Sequence, residues 1–199
     1  MSPRRRAPRP RVGLVPPRRR PTSRTPAGTL GSVVGQNEAR WLSPDEHDAW
    51  VSLAWLMIRL PGQFDVQLQR DSGITFFEYL VLSSLSMAPD NRLRMTDLAE
   101  HVNGSLSRLS NVAKRLEGRG WLVRAPSAED GRITEATLTD AGMDVVVRAA
   151  PGHVEAVRQH VFDALDTDQV SGLRDIGRRI AAQVEPGRAW PAADPGAAR

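Results

Sequence analysis

The chain has 199 residues, 40% hydrophobic and 25% charged, which suffices for one core-bearing domain of ordinary size with tails. It holds no cysteine, which excludes disulfides, thiolate metal sites and cysteine-based oxidation sensing together, and it has no run of 18 apolar residues, so no membrane span is expected. The net charge of +4 hides an asymmetry: residues 1–40 carry ten arginines against one glutamate, the remaining 159 residues stand at −5, and within them residues 92–132 stand at +3. A positive island in an acidic body is the footprint of a phosphate-binding module.

Residues 1–40 are rich in Pro, Arg and Gly, cannot bury a core, and are expected to form a disordered basic arm. Pro16-Pro17 interrupt the short Val12–Val15 stretch, so no secretory or twin-arginine signal is expected and a cytoplasmic location is. Two readings of the arm stand side by side: a basic segment that strengthens non-specific DNA contact, or a leader without a role.

Ser43-Pro44-Asp45-Glu46 opens a first helix with a cap, a proline suited to the first turn, and acids at the positive end of the dipole. Trp50, Leu53, Ala54, Met57 and Leu60 recur at helical spacing, and Pro61-Gly62 predict a kink or break before a second piece that ends at Asp71-Ser72-Gly73. A further helix is predicted from about Thr75 to Met87, then a turn at Ala88–Asn91 and a short strand at Arg92–Arg94 that pairs with a later hairpin.

Arg94 to Gly142 is the stretch around which the chain is organised. Leu98, Ala99 and Val102 form an apolar helical face, Asn103-Gly104 stop that helix with Gly expected in the left-handed conformation, and Ser105 caps the next. In that next helix Leu106, Leu109, Val112, Ala113 and Leu116 are expected on one side, with Ser107, Arg108, Ser110, Asn111, Lys114 and Arg115 on the other. This is a helix-turn-helix whose second helix fits a DNA major groove and carries donors for base edges and phosphates. An ordinary helix pair with a solvated polar face fits the same spacing. Trp121–Arg124 and Ile133–Leu138 read as two strands joined at an Asp130-Gly131 turn, which makes a winged helix. Arg132 near the wing tip is either a minor-groove cation or a solvated loop arginine.

From Thr139 a helix is predicted with Met143, Val146, Val147, Ala150 and Val154 on its buried side, a kink at Pro151-Gly152, and an end near Ala164. A last helix carries Val170, Leu173, Ile176, Ile180 and Val184 on one stripe, and residues 186–199 are expected to be a loose tail. A single winged helix cannot cover apolar stripes at both ends of the chain, so burial against a second copy is expected, with a monomeric helical body as the alternative.

The motifs LAEHV, SRLSNVAKRLEGRGWLVR and EDGRITEATLTDAG together make the segment resemble the MarR family of bacterial winged helix-turn-helix transcription regulators, in the wording of its actinobacterial members. Asp130-Gly131-Arg132 followed by Leu138–Gly142 is the most specific part, and the resemblance in element order runs from about Leu42 to Val184. It implies a mainly α fold with a small β-wing (α+β), as a MarR-like domain at 41–185. Within that domain the winged helix-turn-helix lies at about 75–138 and the dimerisation helices at 43–71 and 139–185. It implies DNA contact through Ser105, Ser107, Arg108, Ser110, Asn111, Arg115 and Arg132, and Lys114 joins them as a phosphate contact. Many members carry a cation where this chain has Asn111, which bears on base preference and not on binding mode.

No local motif arranges a catalytic site, so no enzyme activity and no cofactor are expected. His153 and His160 lie seven apart without a third ligand, so no metal site is read. Trp50, Trp55, Phe76, Phe77 and Tyr79 are either packing or the lining of a pocket for a small aromatic or phenolic effector, as the resemblance implies. The expected function is a homodimeric repressor on a pseudo-palindromic double-stranded operator, released by a small ligand. A winged-helix protein–protein adaptor without DNA binding is the competing reading.

Overall fold

The computed structural model describes residues 39–186. The expected basic arm, save its last two residues, and the expected loose tail, save its first, lie outside them. Helix α1 spans Pro44–Ser72 and opens with a reciprocal cap: the Glu46 N–H donates to Ser43 Oγ at 3.2 Å and the Ser43 N–H donates to Glu46 Oε2 at 2.8 Å. Helix α2 (Phe76–Ser86) repeats the device with Thr75 and Glu78. A 3₁₀ turn at Pro89–Asn91 leads into β1 (Arg92–Arg94), and α3 (Met95–His101) and α4 (Leu106–Gly118) follow. The wing is β2 (Leu122–Pro126) and β3 (Thr134–Leu138), and the chain ends in α5 (Asp140–Val157) and α6 (Thr167–Val184). The fold is thus mainly α with one small antiparallel sheet of order β1-β3-β2, in which Leu93 faces Ala136 and Leu122 faces Leu138.

Both prolines expected to kink or break a helix lie inside continuous helices. Helix α1 runs unbroken through Pro61, and α5 runs unbroken through Pro151. A proline inside a helix frees the carbonyl four residues back. Here those carbonyls belong to Met57 and Val147. Packing of α1 on α5 and α2 holds the lower half of α1 in place. The irregularity of the C-terminal region falls later, where Arg158–Phe162 widens into a π turn closed by the Asp163 N–H donating to the Arg158 carbonyl at 2.8 Å.

The core gathers Leu68 of α1, Ile74, Val81, Leu82 and Leu85 around α2, Leu98 of α3, Leu109 and Leu116 of α4, and Leu122 of β2, all almost fully buried. Each such side chain contributes roughly 1.5–3 kcal/mol of burial. Gly142 sets how closely α5 docks on the wing: a Cβ there would lie 2.0 Å from the Trp121 carbonyl oxygen. Above this core the structure changes character. Leu53, Leu56, Met57 and Ile58 of α1 are exposed, and α6 buries none of its side chains, leaving Leu173, Ile176, Ile180 and Val184 open.

Candidate nucleic-acid interface

The turn between α3 and α4 is built by Asn103, which takes the left-handed conformation (φ 47°) expected of Gly104. Gly104 is needed for space instead, since a Cβ there would sit 2.9 Å from the Phe77 ring. Ser105 then caps α4, its Oγ accepting the Arg108 N–H at 3.2 Å. Leu109, Val112, Ala113 and Leu116 turn inward, while Ser107, Arg108, Asn111, Lys114 and Arg115 are exposed and Ser110 is half-buried.

Leu106 departs from the expected apolar side, with 48% of its surface exposed. As the first residue of α4 its side chain tilts back past the helix end, and it lines a groove between α4 and the wing instead of the core. Ser110, Arg94, Arg124 and Arg132 border the same groove. Arg132 is exposed, and its N–H donates to Asp130 Oδ1 at 3.0 Å, which shapes the wing tip.

Two of the arginines expected to read DNA have partners within the chain. The Arg108 guanidinium lies 3.9 Å above the Phe77 ring, an arrangement that holds it over α2 while leaving its edge free to donate. Arg115 donates to Glu78 Oε1 at 3.2 Å. Glu78 is buried and also accepts the Thr75 N–H at 2.8 Å and the Thr75 hydroxyl at 3.0 Å. Burial pushes the Glu78 carboxyl up, but the Thr75 hydrogen bonds and Arg115 outweigh it and hold the group below the usual glutamate value. Arg115 thus ties α4 to α2, while 53% of its side-chain surface stays exposed on the face expected to meet DNA.

The wing is fastened by a pair that sequence reasoning missed. Arg124 Nη2 donates to Glu117 Oε2 at 2.7 Å, and the Arg124 N–H donates to Glu117 Oε1 at 3.0 Å. The two hydrogen bonds from Arg124, side chain first and backbone second, keep the Glu117 carboxylate below its ordinary pKa. The signal was two opposite charges seven residues apart across a turn, which becomes a contact only once the strand folds back over the helix end.

A cleft of about 680 Å³ opens between α1, α2 and α4, with Phe76, Phe77, Asp65, Arg108 and Asn111 among its walls. Of the five aromatics expected to gather, Phe76 and Phe77 line this cleft. Trp50 and Trp55, 52% and 60% exposed, do not, because unbroken α1 carries them away from it. Tyr79 is buried elsewhere, its ring 4.7 Å from that of His153. His153 also meets Phe64 edge-on at 5.3 Å, and burial lowers its pKa. Among the described residues no group of three or more His, Cys, Asp or Glu side chains is placed to hold a metal ion, and no helix is long and apolar enough to cross a membrane.

A sequence model of the MarR family matches residues 72–133, which span α2, the helix-turn-helix and the outgoing arm of the wing. The structure is similar to that of Sco3205, a MarR family transcriptional regulator from Streptomyces coelicolor solved in complex with DNA. The two share 43% identity and a TM-score of 0.69 over 75% of this chain and 94% of that one. AbsC, another MarR family regulator of Streptomyces coelicolor, is 33% identical with a TM-score of 0.67 over 73% of this chain and 98% of that one. The HTH-type transcriptional repressor Rv2887 of Mycobacterium tuberculosis is 34% identical over 90 residues, which are 42% of this chain and 63% of the repressor. With a shared order of helices and wing and this level of identity across almost the whole of two solved regulators, the chain belongs to the MarR family of transcriptional regulators.

Proposed function

We propose that the protein is a homodimeric repressor that occupies a pseudo-palindromic DNA operator, with α4 in the major groove and Arg132 of the wing in the adjacent minor groove. The observation that carries this reading is the groove between α4 and the wing. Arg94, Arg124 and Arg132 line it in the segment whose net charge is +3 within an acidic body. In this reading Arg108, Asn111, Ser107 and Ser110 of α4 are the base readers, Ser105 and Lys114 contact phosphate, and Arg115, paired with Glu78, borders the same face. That Sco3205 was solved in complex with DNA supports DNA binding by this chain.

The exposed stripes of α1 and α6 form the dimer region, since such apolar surface is stable in water only when covered. Helices 43–71 and 139–185 then flank a reading unit at about 75–138. A small apolar or aromatic ligand is assigned to the cleft at Phe76 and Phe77, where it would engage Arg108 and Asn111 and draw them from DNA. A regulator of this kind works in the cytoplasm, beside its DNA. Titration of a fluorescent duplex from the region upstream of its own gene tests the reading, with an unrelated duplex as control. Binding of the upstream duplex at least tenfold tighter than the control is expected, and no binding of either duplex would leave the adaptor reading in its place.

A further inference from the structure

Leu106 is placed where the fold makes no use of it. The other apolar residues of α4, Leu109, Val112, Ala113 and Leu116, are buried, while Leu106 is 48% exposed at the first position after the Ser105 cap. An isolated exposed leucine on a protein surface is ordinary. This one lies in a groove it shares with Ser110, Arg94 and Arg132, so whatever polyanion those cations attract covers it. Arg124, also in the groove, is tightly paired with Glu117 at 2.7 Å, Arg94 lies 3.9 Å from the exposed Glu129, and Arg132 is exposed.

We propose that Leu106 reads the 5-methyl group of a thymine in the major groove. The proposal rests on the assignment of α4 as the DNA-reading helix. Residues at the N-terminal end of such a helix reach base edges, and the apolar feature that major-groove edges offer is the thymine methyl. A leucine has no donor or acceptor, so it adds nothing to hydrogen-bond readout. Against the methyl it removes apolar surface of both partners from water. Against cytosine it would cover the N4 amino donor and return no acceptor, which costs free energy. The position therefore selects T·A over C·G. Ser110, one turn further along the same face, keeps a hydroxyl in the groove for the neighbouring base edge or phosphate.

The test uses the full chain and a duplex that the chain itself selects from a random-sequence pool. Each thymine is replaced singly by deoxyuridine, which deletes the methyl and keeps the pairing hydrogen bonds. For the unaltered chain, at least one replacement in each half-site is expected to weaken binding about fourfold, the value for one buried methyl group. With Leu106→Ala the same replacement should have no effect, the variant binding both duplexes alike. Leu106→Met, which keeps an apolar side chain of similar reach, should retain the difference. Lys114→Ala should lower affinity for both duplexes and preserve their ratio. If no thymine methyl matters to the unaltered chain, or if Leu106→Ala stays as sensitive as its parent, the proposal is overturned. A pool that yields no duplex bound above random DNA would remove the DNA-reading assignment, and this proposal with it.

Discussion

Arg108, Asn111 and Lys114 follow one another at three-residue spacing on the exposed face of α4, yet each has a different neighbourhood. Arg108 leans on Phe77, Asn111 borders the cleft, and Lys114 stands open to solvent. Lys114→Ala is expected to weaken binding to all duplexes alike and to lower the salt slope by about one unit, as one phosphate contact is lost. Asn111→Ala should instead relax base preference by about 1–3 kcal/mol at one position. Anisotropy titrations of selected and random duplexes at several salt concentrations separate the two, and equal effects on both duplexes would remove Asn111 from the readers. Glu78 gives a pH-dependent outcome. Its folded pKa lies below the ordinary value of 4.5, so the stability it supplies is complete above that value and is lost as pH falls through the depressed one. Glu78→Gln should cost about 1–3 kcal/mol at pH 7, and the gap to the parent should close in acid. Denaturant melts across that range check this, and a constant gap would mean that charge on Glu78 is irrelevant.

At the scale of elements, the glycines separate conformational need from spatial need. Gly142→Ala would drive a methyl into the Trp121 carbonyl, 2.0 Å away, so α5 must shift off the wing, at about 1–3 kcal/mol of stability. Gly118, the last residue of α4, has nothing within 4 Å of an added Cβ, and Gly118→Ala should be neutral or stabilising by about 0.4–1 kcal/mol. Thermal melts of the two variants compare them directly, and equal shifts would show that the close approach of α5 and β2 is not maintained in solution. The spacing of apolar residues made α2, α4 and β3 legible, because each buries a regular face, and β2 was legible as a short apolar run after the helix end at residues 118–120. It did not show that the helices continue through Pro61 and Pro151, because packing against neighbouring elements can hold a helix together across a proline.

At the scale of the molecule, one surface bears on assembly and one charged segment on DNA affinity. Leu173, Ile176, Ile180 and Val184 of α6 are exposed and α6 buries nothing, so charges placed there leave the described core intact. The full chain is expected to be a dimer by light scattering, and Ile176→Glu with Ile180→Glu should yield a folded monomer. A dimer that survives both changes would move the interface away from α6. The charged segment is the arm. Residues 1–40 carry a net +9, and their deletion should lower affinity for operator and random DNA by similar factors in dilute salt, with little effect in concentrated salt. Undiminished binding of random DNA by the truncated chain in low salt would make the arm a leader with no DNA role.

The sequence by itself determined the element order, the helix-turn-helix with its cap at Ser105, the wing with Asp130-Gly131-Arg132 at its tip, and the polar face of α4. These follow from local rules of periodicity, capping and turn chemistry, which act within a few residues. Only the tertiary structure decided that Arg115 belongs to Glu78, 37 residues away, that Arg124 belongs to Glu117, and that Leu106 faces the groove and not the core. A guanidinium on a polar helix face reads the same whether it meets DNA or a buried carboxylate. The difference lies in which element packs across from it, and that is settled by the docking of α2 and the wing on α4.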